Sequence, residues 1–349
     1  MSEKSYLSAG EDVSDDEVVR VGLNGFGRIG RNIFRAVLDD PRIELVGIND
    51  VMDPEDMRYL GKYDTIMGTL DGLTLEDGRL AVGDTSAELF NVQSPAELPW
   101  DEYDVDVALE CTGIFRTYDD AVAHAEAGAG KVLISAPPKG DKEVKQIVYG
   151  VNDDEYEGET VVSNASCTTN SVSPVAKVLD DEFGVEAGLL TTVHAYTGSQ
   201  SLIDGPMGKT RRGRAAAENI VPTSTGAAVA TTEILPQLAG KLDGMAIRVP
   251  VPNGSVTDLT VALEARPSAE EVNDAFRAAA DGELAGVLGY TDDEVVSSDI
   301  VGTPFSSQVD LNSTATIADG ALTKVLTWYD NEYGFSNRML DVASFVSSY

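Results

Sequence analysis

Apolar and polar positions along the chain switch between two periods, one of strands and one of helices. Residues 18–24 form a short apolar run that predicts a buried strand, and residues 31–39 have the spacing of an amphipathic helix. A second apolar run at 43–48 follows at once. Residues 54–100 read as a helix and then short strands broken by the turn pairs Asp71-Gly72 and Asp77-Gly78. A strand and turn over 105–113, a helix over 119–127 and a strand over 131–137 restore the first rhythm. One more buried strand end, 160–162, precedes a helical stretch at 173–179, with Pro174 read as lying in its first turn. Beyond it the pattern becomes α+β. A long strand (187–195), a helix (227–239), strands at 245–250 and 256–264, a helix to 280 opened by the capping box Ser268-Glu271, a strand (324–329) and a final amphipathic helix (336–346) close the chain.

Length and composition narrow this picture. A chain of 349 residues predicts about two domains. No apolar stretch approaches the ~18 residues of a membrane span, and the start is acidic, with no apolar core of the kind a signal peptide needs. These features predict a cytoplasmic protein with a disordered acidic extension at 1–17. Two cysteines cannot make a disulfide framework, so both are expected as reduced thiols. Charge is the unusual quantity: 59 acidic against 25 basic residues, a net −34. Nucleic acid is excluded as a natural partner. The acidic residues are dispersed in pairs such as Asp39-Asp40 and Asp180-Asp181, as on a solvated acidic surface. Such self-repulsion is screened at ~1 M salt, where the Debye length is about 3 Å, so a salt-rich cytoplasm is expected.

Two stretches carry candidate chemistry. After the first strand, Gly25-Phe26-Gly27-Arg28-Ile29-Gly30 is G-x-G-x-x-G in the strand-to-helix setting that this motif requires. Gly25 permits the tight turn, Gly27 admits a pyrophosphate to the backbone, Gly30 lets the helix pack close, and the helix N-terminus faces the anion. Asp50, at the end of the second strand, stands roughly 20 residues on, the interval of a ribose-binding carboxylate, and would repel a 2′-phosphate. NAD is therefore expected over NADP. Thr112, Gly113 and Ser135 fall at carboxyl ends of predicted strands, where open sheets bind ligands.

In the second stretch, Cys167 stands among Ser166, Thr168, Thr169 and Asn170 at a strand-to-helix junction. By residue type alone a buried structural cysteine is the commoner case. The hydroxyl-rich ring and the helix N-terminus instead point to a nucleophile whose thiol pKa falls from about 8.5 toward neutrality. His194, at the end of a strand, suits a rigidly held general base, although a satisfied core histidine is equally consistent with its apolar neighbours; His124, in mid-helix, reads as structural. The loop 198–221 is too long for idle connection and gathers Lys209, Arg211, Arg212 and Arg214. Phosphate binding and intersubunit ion pairs both fit that cluster. Gly208-Lys209-Thr210 resembles the end of a P-loop, but Ile203 stands where that motif needs glycine. Ser224-Thr225-Gly226 opens a helix and offers a second anion-suited turn.

From about Val18 to its end the chain resembles phosphorylating glyceraldehyde-3-phosphate dehydrogenases, in an acidic halophile-type form. The resemblance rests on Asn24–Gly30, on Ser163-Asn-Ala-Ser-Cys-Thr-Thr-Asn170, on His194-Ala-Tyr-Thr197 at the family's interval from Cys167, and on Trp328-Tyr-Asp-Asn-Glu332. It implies an α/β chain with a Rossmann-type doubly wound NAD-binding domain (18–166, with 332–349 packing back on it) and an α+β catalytic domain (167–331) whose sheet is mostly antiparallel. By the same resemblance Cys167 is the nucleophile and His194 the base. Thr197 and Arg248 hold the substrate phosphate, with Arg212 and Arg214 as the loop candidates. Ser166, Thr168, Thr225 and Gly226 hold the attacking phosphate, and Asn331 the nicotinamide carboxamide. Arg28, Ile29, Asp50, Thr112 and Ser135 contact the rest of NAD, and the assembly is a homotetramer. Ser171 replaces a second cysteine that many members carry, Phe335 replaces a usual tyrosine, and the acidic extension has no family counterpart. The alternatives are a homologous erythrose-4-phosphate dehydrogenase, which needs no phosphate attack, and a non-enzymatic NAD-binding redox sensor using Cys167. A phosphate requirement for turnover separates all three.

Overall fold

A computed structural model describes residues 18–349; the acidic extension at 1–17 lies outside the described residues. The described residues divide into two compact units, one of 18–149, 153–166 and 336–349, the other of 150–152 and 167–335.

In the first unit, β1 (Val19–Asn24), α1 (Arg28–Val37) and β2 (Ile43–Asn49) form the opening β-α-β crossover between parallel strands, followed by α2 (Pro54–Lys62). A small hairpin, β3 (Tyr63–Asp64) and β4 (Gly68–Thr69), leads to the meander β5 (Thr74–Glu76), β6 (Arg79–Val82) and β7 (Thr85–Phe90). Then come β8 (Val107–Glu110), the short helices α3 (Tyr118–Ala121) and α4 (Ala123–Glu126), β9 (Lys131–Ile134), β10 (Lys145–Gln146) and β11 (Val161–Ser163). The sheet order is β10-β11-β9-β8-β1-β2-β7-β6-β5, parallel except for the two antiparallel pairings of β6 with β7 and β5. Strand order reverses between β1's neighbours β2 and β8. That switch point is where open α/β sheets bind ligands. The single helix expected over 119–127 is two short ones, because the chain turns at Val122. Among the apolar positions, β1, β8 and β9 are buried on both faces, as a parallel sheet requires.

The second unit holds α5 (Cys167–Phe183), β12 (Val185–Ala195), β13 (Val221–Thr223), α6 (Ala227–Ile234), β14 (Leu242–Val249), β15 (Ser255–Leu263), α7 (Ala269–Asp281), β16 (Leu288–Thr291), β17 (Ser307–Ile317) and β18 (Leu322–Tyr329). Its sheet, ordered β13-β14-β12-β15-β18-β17-β16, has four antiparallel and two parallel pairings, so it is mostly antiparallel. One helical expectation needs correction: α5 begins at Cys167, and Pro174 lies inside it, not in its first turn. Burial of one whole helix through eleven of its side chains offsets a proline that would break an exposed one. The last helix, α8 (Tyr333–Ser347), starts earlier than its apolar spacing indicates. From Ser336 it belongs to the first unit, where Asp341 shares Arg42 with Asp40 and Phe345 packs on Tyr149 and Tyr156.

Candidate functional site

The first unit supplies a cradle made of backbone. Gly25 N–H donates to Asn49 O at 2.8 Å and Cys111 N–H to Asn24 O at 2.7 Å, so the loop after β1 is tied to the ends of β2 and β8. Gly25 has φ +101°, and a Cβ there would lie 2.6 Å from Thr112 N; at Gly30 it would lie 2.0 Å from Gly25 O. These two glycines are required by the chain itself. Gly27 is different: it is exposed, its φ is ordinary, and a Cβ would meet nothing within 4 Å. The chain gives no reason for glycine at this position, whereas a pyrophosphate on the N-terminus of α1 does.

Asp50 braces the same loop. Its carboxylate accepts Phe26 N–H at 2.6 Å and Met52 N–H at 2.9 Å, which leaves acceptor capacity for hydroxyl donors. Arg28 is engaged by Asp64, and Ile29 and Ser135 are half-buried. Thr112 donates both its N–H and its hydroxyl to Glu110, a fully buried carboxylate that also accepts Asn24 Nδ2–H. Gly113 follows, exposed with φ +70°. His124 is structural: Trp100 Nε1–H, a donor only, fixes Nδ1 as acceptor, so Nε2–H donates to Glu110. The donor set, the open glycine and the carboxylate at the end of β2 fit a dinucleotide with a free 2′-hydroxyl.

The second unit supplies a pocket made of side chains. Cys167 opens α5, with its Sγ 3.5 Å from His194 Nε2. His194 ends β12, is 4 % exposed, and its register partner on β14 is Arg248. His194 Nδ1–H donates to Ala195 O at 2.7 Å, and Arg248 Nη1 donates to the same carbonyl at 2.8 Å. This tautomer leaves Nε2 as the acceptor facing the thiol. Burial, together with the charges of Arg248 and Arg212, pushes the His194 pKa down to about 3, so its resting state is neutral.

The thiol departs from expectation. Its pKa is raised, not lowered: burial is the largest influence, and Arg248, the Thr168 hydroxyl and N–H, and the Cys167 N–H pull against it. The helix N-terminus acts in the expected direction and is outweighed by desolvation. A thiol hydrogen-bonded to a neutral imidazole results, not a standing ion pair.

Around this pair lie two guanidiniums that have no carboxylate partner among the described residues. Arg248 reaches Thr197 Oγ1 at 3.4 Å, and its Nε is buried without a partner. Arg212 donates to Thr223 Oγ1 at 3.0 Å and Ser199 Oγ at 3.3 Å, and Ser199 in turn bonds Thr197 at 2.8 Å. The four loop cations thus separate. Arg214 pairs with the exposed Asp204, Arg211 is exposed, and Lys209 donates to Ser224 Oγ. Thr225 accepts Ala227 N–H, with Gly226 exposed at the start of α6. Thr168 is buried, and Ser166, half-buried, belongs to the first unit.

Three further side chains escaped the reading of the sequence. Ser255 on β15 accepts Ala195 N–H at 3.1 Å and donates to Asn331 Oδ1 at 2.7 Å, joining the residue after His194 to Asn331. Tyr329 and Thr192 meet at 2.7 Å behind His194. Period-2 spacing places Thr192 on the same face as His194, but only the strand register brings Ser255 and Tyr329 there.

Comparison with known proteins agrees with this geometry. The family model for the NAD-binding domain of glyceraldehyde 3-phosphate dehydrogenase matches residues 19–118, and that for its C-terminal domain matches residues 166–331. A glyceraldehyde-3-phosphate dehydrogenase of Haloarcula vallismortis is 66 % identical over 333 residues, covering 95 % of this chain and 99 % of the relative. Those of Mycobacterium tuberculosis (strain H37Rv) and Streptomyces coelicolor are 53 % and 52 % identical, covering 94 % and 95 % of this chain and 98 % and 99 % of the relatives. With both domains matched and a relative aligned over nearly its whole length, the chain belongs to the glyceraldehyde-3-phosphate dehydrogenase family.

Proposed function

We propose that the chain converts D-glyceraldehyde 3-phosphate, inorganic phosphate and NAD to 1,3-bisphosphoglycerate and NADH through a thioester on Cys167. The observation that carries this reading is the thiol–imidazole pair beside Arg212 and Arg248, two partly buried cations with no carboxylate partner among the described residues.

The chemistry follows from these groups. His194 Nε2 accepts the thiol proton as Sγ attacks the aldehyde carbon, and the developing oxyanion is stabilised by Cys167 N–H and the imidazolium. Arg248, Thr197 and Arg212 would anchor the substrate phosphate, with Arg212 preferred over Arg214 because the latter is neutralised by Asp204. The imidazolium returns that proton to the oxyanion, giving the hemithioacetal hydroxyl and a neutral His194; as the carbon is then oxidised, His194 withdraws the hydroxyl proton and the acyl group is left on sulfur. Thr168, Thr225 and Gly226, with Ser166, would hold the phosphate that cleaves the thioester. Gly25, Phe26, Gly27, Arg28, Ile29, Gly30, Asp50, Thr112, Gly113, Ser135 and Asn331 would hold NAD. When bound, NAD supplies the two-electron acceptor that the protein's own side chains lack.

The same pathway position serves glycolysis and, in reverse, gluconeogenesis, in a cytoplasmic enzyme; among the described residues no helix is long and apolar enough to cross a membrane. A homotetramer is supported by the exposed apolar side chains Leu189, Leu202, Ile203, Ile220 and Val229 on the second unit. The acidic surface is suited to molar salt, where purified protein should melt higher than in dilute buffer.

NAD reduction in multimolar KCl tests the reading. Turnover on glyceraldehyde 3-phosphate that requires phosphate is expected. Phosphate-independent turnover favouring erythrose 4-phosphate would overturn it.

A further inference from the structure

Asn331 lies two residues past the end of β18, and its backbone is fixed by the residue before it. Asp330 is 1 % exposed, and its carboxylate accepts four donors: Asn253 Nδ2–H at 2.8 Å, Gly302 N–H at 2.7 Å, Glu332 N–H at 2.8 Å and Tyr333 N–H at 2.7 Å. These bonds hold the turn. They do not decide which end of the Asn331 amide faces which way, because half a rotation of that amide exchanges an acceptor for two donors with little change of shape.

Ser255 makes the decision. Its side chain is fully buried at the start of β15, opposite Tyr329 in the strand register. The hydroxyl accepts Ala195 N–H at 3.1 Å, and its only other hydrogen-bond partner among the described residues is Asn331 Oδ1, at 2.7 Å. A buried hydroxyl needs an acceptor for its one proton, so the amide must turn its oxygen toward Ser255. Nδ2, with two protons, is then the end left for a ligand. Asn331 is itself buried, so little water is at hand to stabilise the opposite orientation.

We propose that Ser255 is a positioning residue for the cofactor: it locks the Asn331 amide with Nδ2 free to donate to the carboxamide oxygen of nicotinamide, and so fixes how that carboxamide and its ring are turned. The proposal rests on the reading above that Asn331 meets the nicotinamide carboxamide. The same hydroxyl ties Asn331 to the Ala195 N–H, and the Ala195 carbonyl accepts His194 Nδ1–H and Arg248 Nη1–H. One buried oxygen therefore sets the amide that reads the nicotinamide against the strand end that carries the base.

Calorimetric titration of the purified protein with NAD and with ADP-ribose, which lacks the nicotinamide, separates the two parts of the cofactor. Ser255→Ala should weaken NAD about tenfold, the loss of one well-aimed hydrogen bond, and leave ADP-ribose within about twofold. A double-mutant cycle with Asn331→Ala gives the decisive comparison. Asn331→Ala alone should also weaken NAD about tenfold, and adding Ser255→Ala to it should change NAD affinity no further. An effect that ran through Ala195, or through general loosening of the fold, would persist in the Asn331→Ala background. Additive losses, equal weakening of ADP-ribose, or unchanged NAD affinity in Ser255→Ala would each overturn the proposal. If Ser255→Ala does not fold, Ser255→Cys, which keeps a side chain there but is a weak donor, decides by the same comparisons. Failure of the underlying reading looks different: Asn331→Ala would then bind NAD as the wild type does, and the proposal would fall with it.

Discussion

The glycine loop and the thiol pocket are made of opposite materials. The loop is backbone: its shape comes from Gly25 and Gly30, its donors are main-chain N–H groups, and its residues are contiguous. The pocket is side chain: Cys167 comes from α5, His194 from β12, Arg248 from β14, Arg212 from the long loop and Tyr329 from β18. A backbone site tolerates changes of side chain and fails when a Cβ intrudes. A side-chain site tolerates small backbone shifts and fails when one functional group is removed. The two regions should therefore respond separately to mutation.

The largest separation comes from Cys167→Ser. Turnover should fall on the order of 10⁴-fold or more, because the hydroxyl is far less nucleophilic than the sulfur, while the dissociation constant for NAD stays within about twofold. Calorimetric titration of NAD alongside steady-state rates checks both halves. Loss of NAD affinity in this variant would break the division between the regions.

Burial of His194 gives the next effect. Its pKa is about 3 in the folded protein against 6.5 for the free side chain, so between those values the unfolded chain binds the proton and the folded one does not. Stability must then rise with pH through this window and be lost as pH falls. Relative to His194→Asn, the wild type should lose about 3 kcal/mol more between pH 6.5 and pH 4. Paired denaturant titrations at fixed high salt measure that difference and cancel the contribution of the many surface carboxylates. Parallel slopes would show that the imidazole is protonated in the fold.

Arg212 and Arg214 sharpen the comparison inside the pocket. Arg212→Ala should lower kcat/KM for the triose phosphate roughly 100-fold, the loss of charge-assisted bonds to an anion, whereas Arg214→Ala should stay within about threefold. Equal losses would return both arginines to the same status.

This contrast also explains what could be read from the sequence. The loop was legible because its chemistry is contiguous, and Gly25, Gly27, Gly30 and Asp50 carry the pattern of a strand, turn, helix and strand. Cys167 and His194 were legible through their immediate neighbours. Thr192, Ser255 and Tyr329 were not, since each becomes part of the site only when β12, β15 and β18 lie in register. Pro174 misled because the local cost of proline was weighed without the burial of α5. The thiol pKa was misjudged for a similar reason: proximity to a helix N-terminus is visible in one dimension, whereas desolvation is a property of the packed pocket.

The smallest effect bears most directly on the backbone cradle. Gly27→Ala adds one methyl group where the protein has open space, at an ordinary φ, so folding and melting temperature should be unchanged. If the backbone there approaches a pyrophosphate, that methyl stands in its way and NAD should bind about tenfold more weakly, while ADP-ribose, which carries the same pyrophosphate, is weakened equally and adenosine is not. Gly30→Ala is the control with the opposite signature. Its Cβ would fall 2.0 Å from Gly25 O, so it should destabilise the first unit whether or not NAD is present. Unchanged NAD affinity in a stable Gly27→Ala protein would place the pyrophosphate elsewhere and remove the functional reason for glycine at that position.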